Sequence, residues 1–416
     1  MIRNGILALV VALFLVAPFV LGGHVIGVLT TALIAVLFAM AFNLLSGRAG
    51  MLSFGHAAYF AIGGFAVIHA MQAVENGSFW LPTPLIPLVG GVAGLIGGLC
   101  AGYFATLRSG VYLSMVTLAL AELLHAIAPN LSGIFGGEVG LTTMRMPWSQ
   151  FDFGSEVHVY YTVVAWVLLC IGLLYAYNQT LFGRLTVGLR EAERRVSFLG
   201  YNLHHTKTIV FGVSAMFSGI AGGLLAFTTE SINYSMLGMG MSASVILHTF
   251  VGGAGVFFGP AIGAFTFALF GSLVSDVTKN WLLYQGILFV GIMMFMGDGL
   301  AVLGLRIVSE FKDRNWGSLK RRVLLLPPGL LITAGIVTLL ELTSRILDQQ
   351  YSAIVDRTKA WPPISLYGYN WDPMATTTWI VPVLAIGAGM GILLLVKSRT
   401  EREASPMTSL AEEHAR

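Results

Sequence analysis

The sequence IGVLTTALIAVLFAMAFNLL at positions 26–45 decides the fold, because none of its twenty residues is charged. An α-helix needs about 20 apolar residues to cross the hydrocarbon layer of a bilayer. Similar runs recur along the 416 residues, of which 56% are hydrophobic and only 10% charged. A soluble domain carries roughly 25% charged residues, so the composition argues against a soluble enzyme. The sequence predicts an all-α, polytopic membrane protein.

The apolar runs predict about 12 transmembrane helices, about 10 in residues 1–305 and two more in residues 306–416. We interpret these two regions as a permease-like core and a C-terminal extension. The two short spans of the set flank a glycine-rich break at Gly252, Gly253 and Gly255. Broken helices survive at membrane depth only inside protein or beside water, so we expect this pair near a pathway. The predicted spans are 5–22, 26–45, 51–72, 84–107, 111–129, 159–177, 208–228, 241–252, 261–275, 282–297, 323–341 and 377–396.

The distribution of basic residues predicts the orientation of the chain. With twelve spans and a cytoplasmic N-terminus, 18 of the 23 Lys and Arg residues fall in cytoplasmic segments. An excess of Lys and Arg on the cytoplasmic side is the rule for membrane proteins, so we expect both termini inside. The first run follows Arg3 without a small-residue cleavage site after it, and we interpret it as an uncleaved span.

Residues that support catalysis, metal binding or nucleic-acid binding are scarce or scattered. The formal net charge is only +3, and no basic face is clustered enough for nucleic acid. Cys100 and Cys170 both lie in apolar runs, so we expect neither a disulfide framework nor a metal site. No lysine follows a glycine, which excludes a phosphate-binding loop of the G-x-x-x-x-G-K type. We expect no cofactor, and any ATP must be hydrolysed by another chain.

The polar segment 178–207 predicts an amphipathic helix on the cytoplasmic side. Its apolar residues recur at steps of three and four, and Gly200 stands where a C-terminal cap is expected. The basic residues lie off this stripe. Such a helix can rest on lipid headgroups or dock on a cytoplasmic partner, and the pattern alone leaves both interpretations open. The stripe consists of Leu185, Leu189, Ala192, Val196 and Leu199.

Ionisable side chains inside the predicted spans are the candidates for a transport pathway. Glu122 lies about eleven residues into the span 111–129, with His125 close behind it. A charge at that depth costs at least about 2.5 kcal/mol, so a function is the default hypothesis, with a packing role as the alternative. His56 and His248 are weaker cases, because a buried histidine is more often satisfied by its neighbours. The external loop 130–158 is either plain solvated surface or a cover for the translocation mouth or a partner.

The stretch GRAGMLSFGHAAYFAIGG at 47–64 resembles the glycine-rich signature of branched-chain amino acid ABC permeases of the M type. Further matches follow in the same order, and together they cover about residues 26–305. The end of the last shared span departs from the family pattern, with MGDGL at 296–300 in place of its usual proline and arginine. The additional matches are LRSGVY at 107–112, VTLALAE at 116–122, GGEVGL at 136–141, residues 182–200 and residues 251–260.

The resemblance implies a permease subunit of a binding-protein-dependent importer in the bacterial inner membrane. Such a subunit pairs with a second, homologous permease, two cytoplasmic ATPases and a periplasmic solute-binding protein, and it catalyses no reaction itself. It also implies an ATPase-coupling helix, to which we assign Gly183, Arg184, Arg190, Glu191, Arg194, Leu199 and Gly200. To a possible translocation path we assign Ser53, His56, Glu122, Gly252, Gly253 and Gly255.

Branched-chain or related amino acids are the substrates that the resemblance implies, and related permeases also carry urea or short amides. Two other classes compete with an ABC permease: an ion-coupled secondary transporter and a membrane-embedded enzyme. The enzyme is the weakest of the three, because the sequence has no paired acids and no metal-ligand spacing.

Overall fold

The computed structural model describes residues 12–148, 152–312, 316–366 and 368–413. Residues 12–20 are helical, and fourteen helices of ten or more residues follow. In chain order these are α1 (Gly23–Asn43), α2 (His56–Glu75), α3 (Pro87–Ala105), α4 (Val111–Ile127), α5 (Glu156–Gln179), α6 (Leu181–Phe198), α7 (Leu203–Thr229), α8 (Met239–Gly252), α9 (Gly259–Ser275), α10 (Trp281–Phe295), α11 (Leu300–Lys312), α12 (Trp316–Ile346), α13 (Gln349–Thr358) and α14 (Thr376–Glu413).

The apolar helices confirm an all-α, polytopic membrane protein. Eight of them are long and apolar enough to cross a membrane, and α8, α9 and α10 are shorter apolar helices. These eleven coincide with eleven of the predicted spans. The remaining prediction, 5–22, lies partly outside the described residues. The sequence correctly predicted that the two helices around the glycine-rich break, α8 and α9, are short, and α10 is short as well.

The chain divides into two compact units, residues 1–303 and residues 304–416. In the first unit α7 is the central helix, and 78% of its most apolar 18-residue stretch is buried. It packs against α2 and α3, while α1 packs against α7 and α9. By contrast, only 28% of the most apolar 18-residue stretch of α4 is buried within this chain, so α4 presents most of its surface outward.

Glycines allow the backbones of α2, α3 and α7 to approach closely. A Cβ atom at Gly219 of α7 would lie 2.9 Å from the Cα of Gly94 and closer still to the carbonyl oxygen of Gly90. On the α2 side, a Cβ at Gly222 would overlap the carbonyl group of Phe60. Membrane helices associate largely through such small residues, because lipid provides no hydrophobic driving force between them. We call this three-helix contact the glycine seam.

We expect Gly219→Ala to destabilise the protein by about 2 kcal/mol, because a methyl group in a closely packed seam forces the helices apart. The measurement is thermal unfolding of the purified chain in detergent. Gly172→Ala is the matched control, since a Cβ at this α5 position meets no other atom within 4 Å. Equal unfolding midpoints for the two variants would contradict the glycine seam.

The second unit is built on the pair α12 and α14, which also meet through glycines. A Cβ at Gly335 would lie 2.6 Å from Ile386, and one at Gly389 would lie 2.7 Å from Ile332. The first unit contains the short strands β1 (Leu141–Thr142) and β2 (Ser231–Ile232). In the second unit, the connection contains α13 and an antiparallel hairpin of β3 (Ile364–Leu366) and β4 (Tyr369–Trp371). The guanidinium group of Arg345 donates to the backbone of the hairpin over 2.9 Å, which fastens it to the end of α12.

Candidate translocation and coupling site

An extended loop at residues 49–55 separates α1, which ends in a π-helical turn at Leu44–Arg48, from α2. The predicted span 51–72 is therefore wrong at its start, since α2 begins at His56. Gly50 has a φ of +70°, which favours glycine. A Cβ at Gly55 would overlap the carbonyl oxygen of Thr117. The close approach to α4 holds this segment, which we call the signature loop, out of the helix.

Backbone N–H groups in the signature loop and just after it donate to two further helices. The backbone N–H of Phe54 donates to the hydroxyl of Thr117 on α4 over 3.3 Å. Immediately after the loop, the N–H of Ala57 donates to the hydroxyl of Ser242 on α8 over 3.1 Å. The loop thus connects α1, α2, α4 and α8 at one point of the bundle.

Ser53 and His56, both predicted for the translocation path, are completely buried within the first unit. The Nε2 atom of His56 lies 2.8 Å from the hydroxyl of Ser218 and 3.2 Å from that of Ser214. The His56 Nδ1 atom and the Ser53 hydroxyl have no hydrogen-bond partner in the described part of the chain. Buried polar atoms are normally paired, so both are places where water or a polar ligand group would be stabilised. Rings that lie around His56 are those of Phe38, Phe42, Tyr59 and Phe211.

The glycine-rich break forms a tight turn between α8 and α9. Gly253 has a φ of +101°, and a Cβ there would lie 2.7 Å from the carbonyl oxygen of Asp298. Gly299, with a φ of +84°, lies against Gly253 in turn. A Cβ at Gly252 would overlap Gly259, whereas Gly255 faces open space. Gly252 and Gly253 therefore have a packing reason to be glycine, and the MGDGL segment, which departs from the family pattern, supplies the contact of Gly253.

The predicted amphipathic helix corresponds to α6, but it is bent rather than straight. It begins at Leu181, because the hydroxyl of Thr180 accepts the N–H of Gly183 and caps it. Leu185, Leu189 and Val196 of the predicted stripe are buried. Ala192 leaves the helical conformation with φ −159° and ψ 81°, and Leu199 is 71% exposed beyond the helix end. A continuous apolar face that includes these last two residues was a wrong prediction.

The bend folds the second part of α6 back on the first. A Cβ at Gly188 would lie 3.0 Å from the Cγ2 atom of Val196. In a straight helix, residues eight positions apart are separated by about 12 Å along the axis. Val196 therefore lies close to Gly188, and the apolar face of α6 is shorter than that of a straight helix. Gly200 has a φ of +86° after the helix end, where the sequence predicted a cap.

Two polar contacts fasten α6 to the transmembrane helices. The Nη1 atom of Arg190 donates to the carbonyl oxygen of Gly47 over 2.5 Å, beside the signature loop. The carboxylate of Glu193 lies 2.8 Å from the Nζ atom of Lys207, which is nearly fully buried near the start of α7. Lys207 also donates to the hydroxyl of Ser109, between α3 and α4, over 2.7 Å. Sequence reasoning missed this pair, although a lysine one turn into an apolar helix was a usable signal.

The remaining residues predicted for the coupling helix fall into two groups. Gly183 is buried against the end of α5, where a Cβ would overlap the carbonyl oxygen of Tyr177. Arg184, Glu191 and Arg194 are exposed. The outer surface of α6 thus carries charged side chains, while its inner surface is fixed to the bundle.

Glu122 is half-exposed on α4, with 46% of its side chain accessible. Its carboxylate lies 4.0 Å from the Nδ1 atom of His125, whose ring lies beside Tyr234. The residue is therefore not enclosed between helices of this chain, as a purely structural packing role would require. His248 is nearly buried and packs against Phe267.

The opposite end of the first unit is closed by the loop before α5, of which residues 149–151 lie outside the description. Strands β1 (Leu141–Thr142) and β2 (Ser231–Ile232) pair antiparallel. Arg145 donates to the carbonyl oxygens of Phe227 and Thr228 at the end of α7, over 3.1 and 3.0 Å. Its Nε atom lies 3.1 Å from the Glu230 carboxylate, although the N–H is not aligned for a hydrogen bond. This segment is fastened to the bundle rather than freely solvated.

Comparison with known proteins identifies the family. Residues 24–297 match the family described as "Branched-chain amino acid transport system / permease component". The chain belongs to this family. The branched-chain amino acid permeases are the transmembrane components of ABC transporters and lack an ATPase domain of their own, so the predicted absence of catalysis in this chain follows from membership.

Individual relatives of this permease support the same family. The LivM permease protein of the high-affinity branched-chain amino acid transport system of Escherichia coli is 27% identical over an alignment of 311 residues that covers 68% of this chain and 71% of LivM. A probable LivH permease protein of Methanocaldococcus jannaschii is 24% identical, over 58% of this chain and 76% of that protein. The L-arabinose permease protein AraH of Escherichia coli is 27% identical, over 48% and 58%. No solved structure matches this permease significantly.

Proposed function

We propose that this chain is the M-type permease subunit of an importer that carries branched-chain amino acids into the cytoplasm. The observation that carries the proposal is the arrangement of α6. Its inner side is fixed to Gly47, just before the signature loop, through Arg190 and to α7 through Glu193. Its outer side presents Glu191 and Arg194. A short charged helix held in this way suits contact with a cytoplasmic ATPase rather than rest on lipid alone.

The complete transporter contains, in this proposal, a second homologous permease, two ATPase subunits and a periplasmic solute-binding protein. The similarity to LivM and to a probable LivH supports the pairing of two related permeases. Movement of the ATPases displaces α6. The displacement passes to α7 through the buried Lys207 and to the α3–α4 connection through Ser109. Switching between outward and inward access follows from the motion of these helices.

The substrate path runs, in this proposal, along the outward surface of α4 and past the signature loop. A half-exposed carboxylate on a membrane helix is stable only beside water or a protein partner, which supports a place for Glu122 at the path. The unpaired polar atoms of Ser53 and His56 support a polar route at the loop. The turn at Gly252, Gly253 and Gly255 forms the inner boundary of the route.

The proposal also places the chain in a bacterial inner membrane, with twelve spans and both termini in the cytoplasm. Segments predicted to be cytoplasmic contact one another, as in the Gly47–Arg190 and Ser109–Lys207 contacts. Segments predicted to be external do the same, as in the Arg145–Glu230 contact. Residues 1–305 act as the permease core, and residues 306–416 add two spans.

Uptake by the reconstituted transporter tests the proposed function. We expect radiolabelled leucine to enter proteoliposomes only when the ATPases, ATP and the solute-binding protein are present. Excess isoleucine or valine should compete with leucine, whereas arabinose and urea should not. Competition by urea, or uptake of arabinose, would contradict the proposed substrate but not the assignment as an ABC permease. Leucine uptake by the chain alone under a proton or sodium gradient would replace the ABC permease with a secondary transporter.

A further inference from the structure

An open cavity of about 390 Å³ lies where α5 ends and α6 begins. Polar side chains of Arg48, Asn178, Gln179 and Arg184 line it, and none of its lining residues is acidic. Two guanidinium groups beside two amides form a positive, hydrogen-bonding wall. Such a wall favours an anion whose oxygens accept several hydrogen bonds at once.

Within the described part of the chain, no partner explains the position of the two arginines of the cavity. Neither guanidinium makes a hydrogen bond or ion pair with the residues that the structure describes. The Nε atom of Arg48 is also closed to solvent, where an unpaired N–H is unfavourable. Oxygens of a phosphate group match the planar donor fork of arginine. A bound phosphate group would satisfy the exposed and the buried donors together.

Apolar surface leads away from the cavity along α5. Leu168, Gly172 and Tyr175 follow one another at steps of four and three, which places them on one side of the helix. Leu168 is 39% and Tyr175 44% exposed. A Cβ at Gly172 would meet no atom, so this side has a shallow groove. The ring of Tyr175, which also lines the cavity, contacts the ring of Phe257 with 5.6 Å between centroids.

We propose that this cavity binds the phosphate group of an anionic phospholipid, with an acyl chain on the apolar side of α5. The helix is long and apolar enough to span a membrane and ends at Gln179. The cavity therefore lies where α5 leaves the apolar layer, which is the level of lipid headgroups. Basic pockets between membrane helices bind such headgroups. Arg184 then contacts lipid rather than an ATPase, and the lipid joins the end of α1 to the start of α6.

Native mass spectrometry of the detergent-purified full chain tests this site with phosphatidylglycerol as the probe. We expect Arg184→Gln to weaken binding at least tenfold, and Arg48→Gln with Arg184→Gln to abolish it. Arg108→Gln is the control, because this exposed arginine lies outside the cavity and loses the same charge. Arg184 is exposed, so its single variant keeps the test valid if the double variant does not fold.

Further binding measurements distinguish a phospholipid from free phosphate or an acidic partner as the source of the anionic oxygens. We expect phosphatidylcholine to bind at least tenfold more weakly than phosphatidylglycerol, and 10-fold excess inorganic phosphate not to displace the lipid. Displacement by inorganic phosphate would overturn the proposal in favour of a free-anion site. Loss of the lipid when the ATPases join the complex would overturn it in favour of an acidic group of the partner. Equal binding by Arg184→Gln and Arg108→Gln would overturn it outright.

Discussion

Arg194→Glu is expected to release the ATPase subunits from the purified transporter, with affinity lowered at least 100-fold. Arg194 is exposed on the second part of α6 and makes no hydrogen bond or ion pair with the described residues. Its replacement therefore leaves the fold of this chain unchanged. Like charges brought together in a close interface cost several kcal/mol, which corresponds to more than two orders of magnitude in affinity. The measurement is the ratio of ATPase to permease after affinity purification, followed by titration of the ATPase.

Arg108→Glu controls for the change in net charge, since Arg108 is another exposed arginine on the side predicted to be cytoplasmic. Arg190 is unsuitable as a probe because it hydrogen-bonds the carbonyl oxygen of Gly47. A change there would loosen α6 as well as any partner contact. If Arg194→Glu retains its ATPases and transports at the normal rate, α6 is not the docking element.

Glu122→Gln is expected to lower the transport rate at least tenfold while assembly and thermal stability stay unchanged. Glutamine keeps the size and hydrogen-bonding capacity of the side chain but removes its charge. The carboxylate is half-exposed, and among the described residues its charged neighbour is His125, itself partly exposed at 4.0 Å, so the change breaks no buried ion pair there. The rate of leucine uptake into proteoliposomes, with the unfolding midpoint measured beside it, separates transport from folding.

Glu138→Gln serves as the matched control, because it makes the same isosteric change on an exposed residue of the external loop. Normal uptake by both variants would remove Glu122 from the translocation path. A lowered unfolding midpoint for Glu122→Gln would instead assign the residue to packing.

Hydropathy predicted the helices well, because a membrane span needs a long apolar run and little else. The bend of α6 was beyond prediction. Ala192 is an alanine, the residue with the highest helix propensity, and its neighbours continue the helical periodicity. The Glu193–Lys207 ion pair with α7 lies just beyond the bend and helps to fix it. Such a long-range contact has no signature in the local sequence.

In the candidate site, too, the local sequence predicted where helices break, but not which distant segments come into contact. Glycines at 252 and 253 predicted a break, and α8 does end there. That Gly299 lies against Gly253 depends on how α10 returns the chain to this turn, which no local pattern specifies. Likewise Arg145 lies in the external loop, and only the fold brings it to Glu230, 85 residues further along the chain.

The glycine seam also has a consequence for biosynthesis in the membrane. About 100 residues separate the end of α3 from the start of α7, the helix that fills the contact between α2 and α3. At ribosomal rates of 5–20 residues per second, roughly 5–20 seconds pass between the synthesis of α3 and the start of α7. Throughout that interval their glycine-lined surfaces are open to lipid or to a stray helix. The three-helix contact is complete only after α7 has been synthesised, so the order of translation limits when this part of the fold can form.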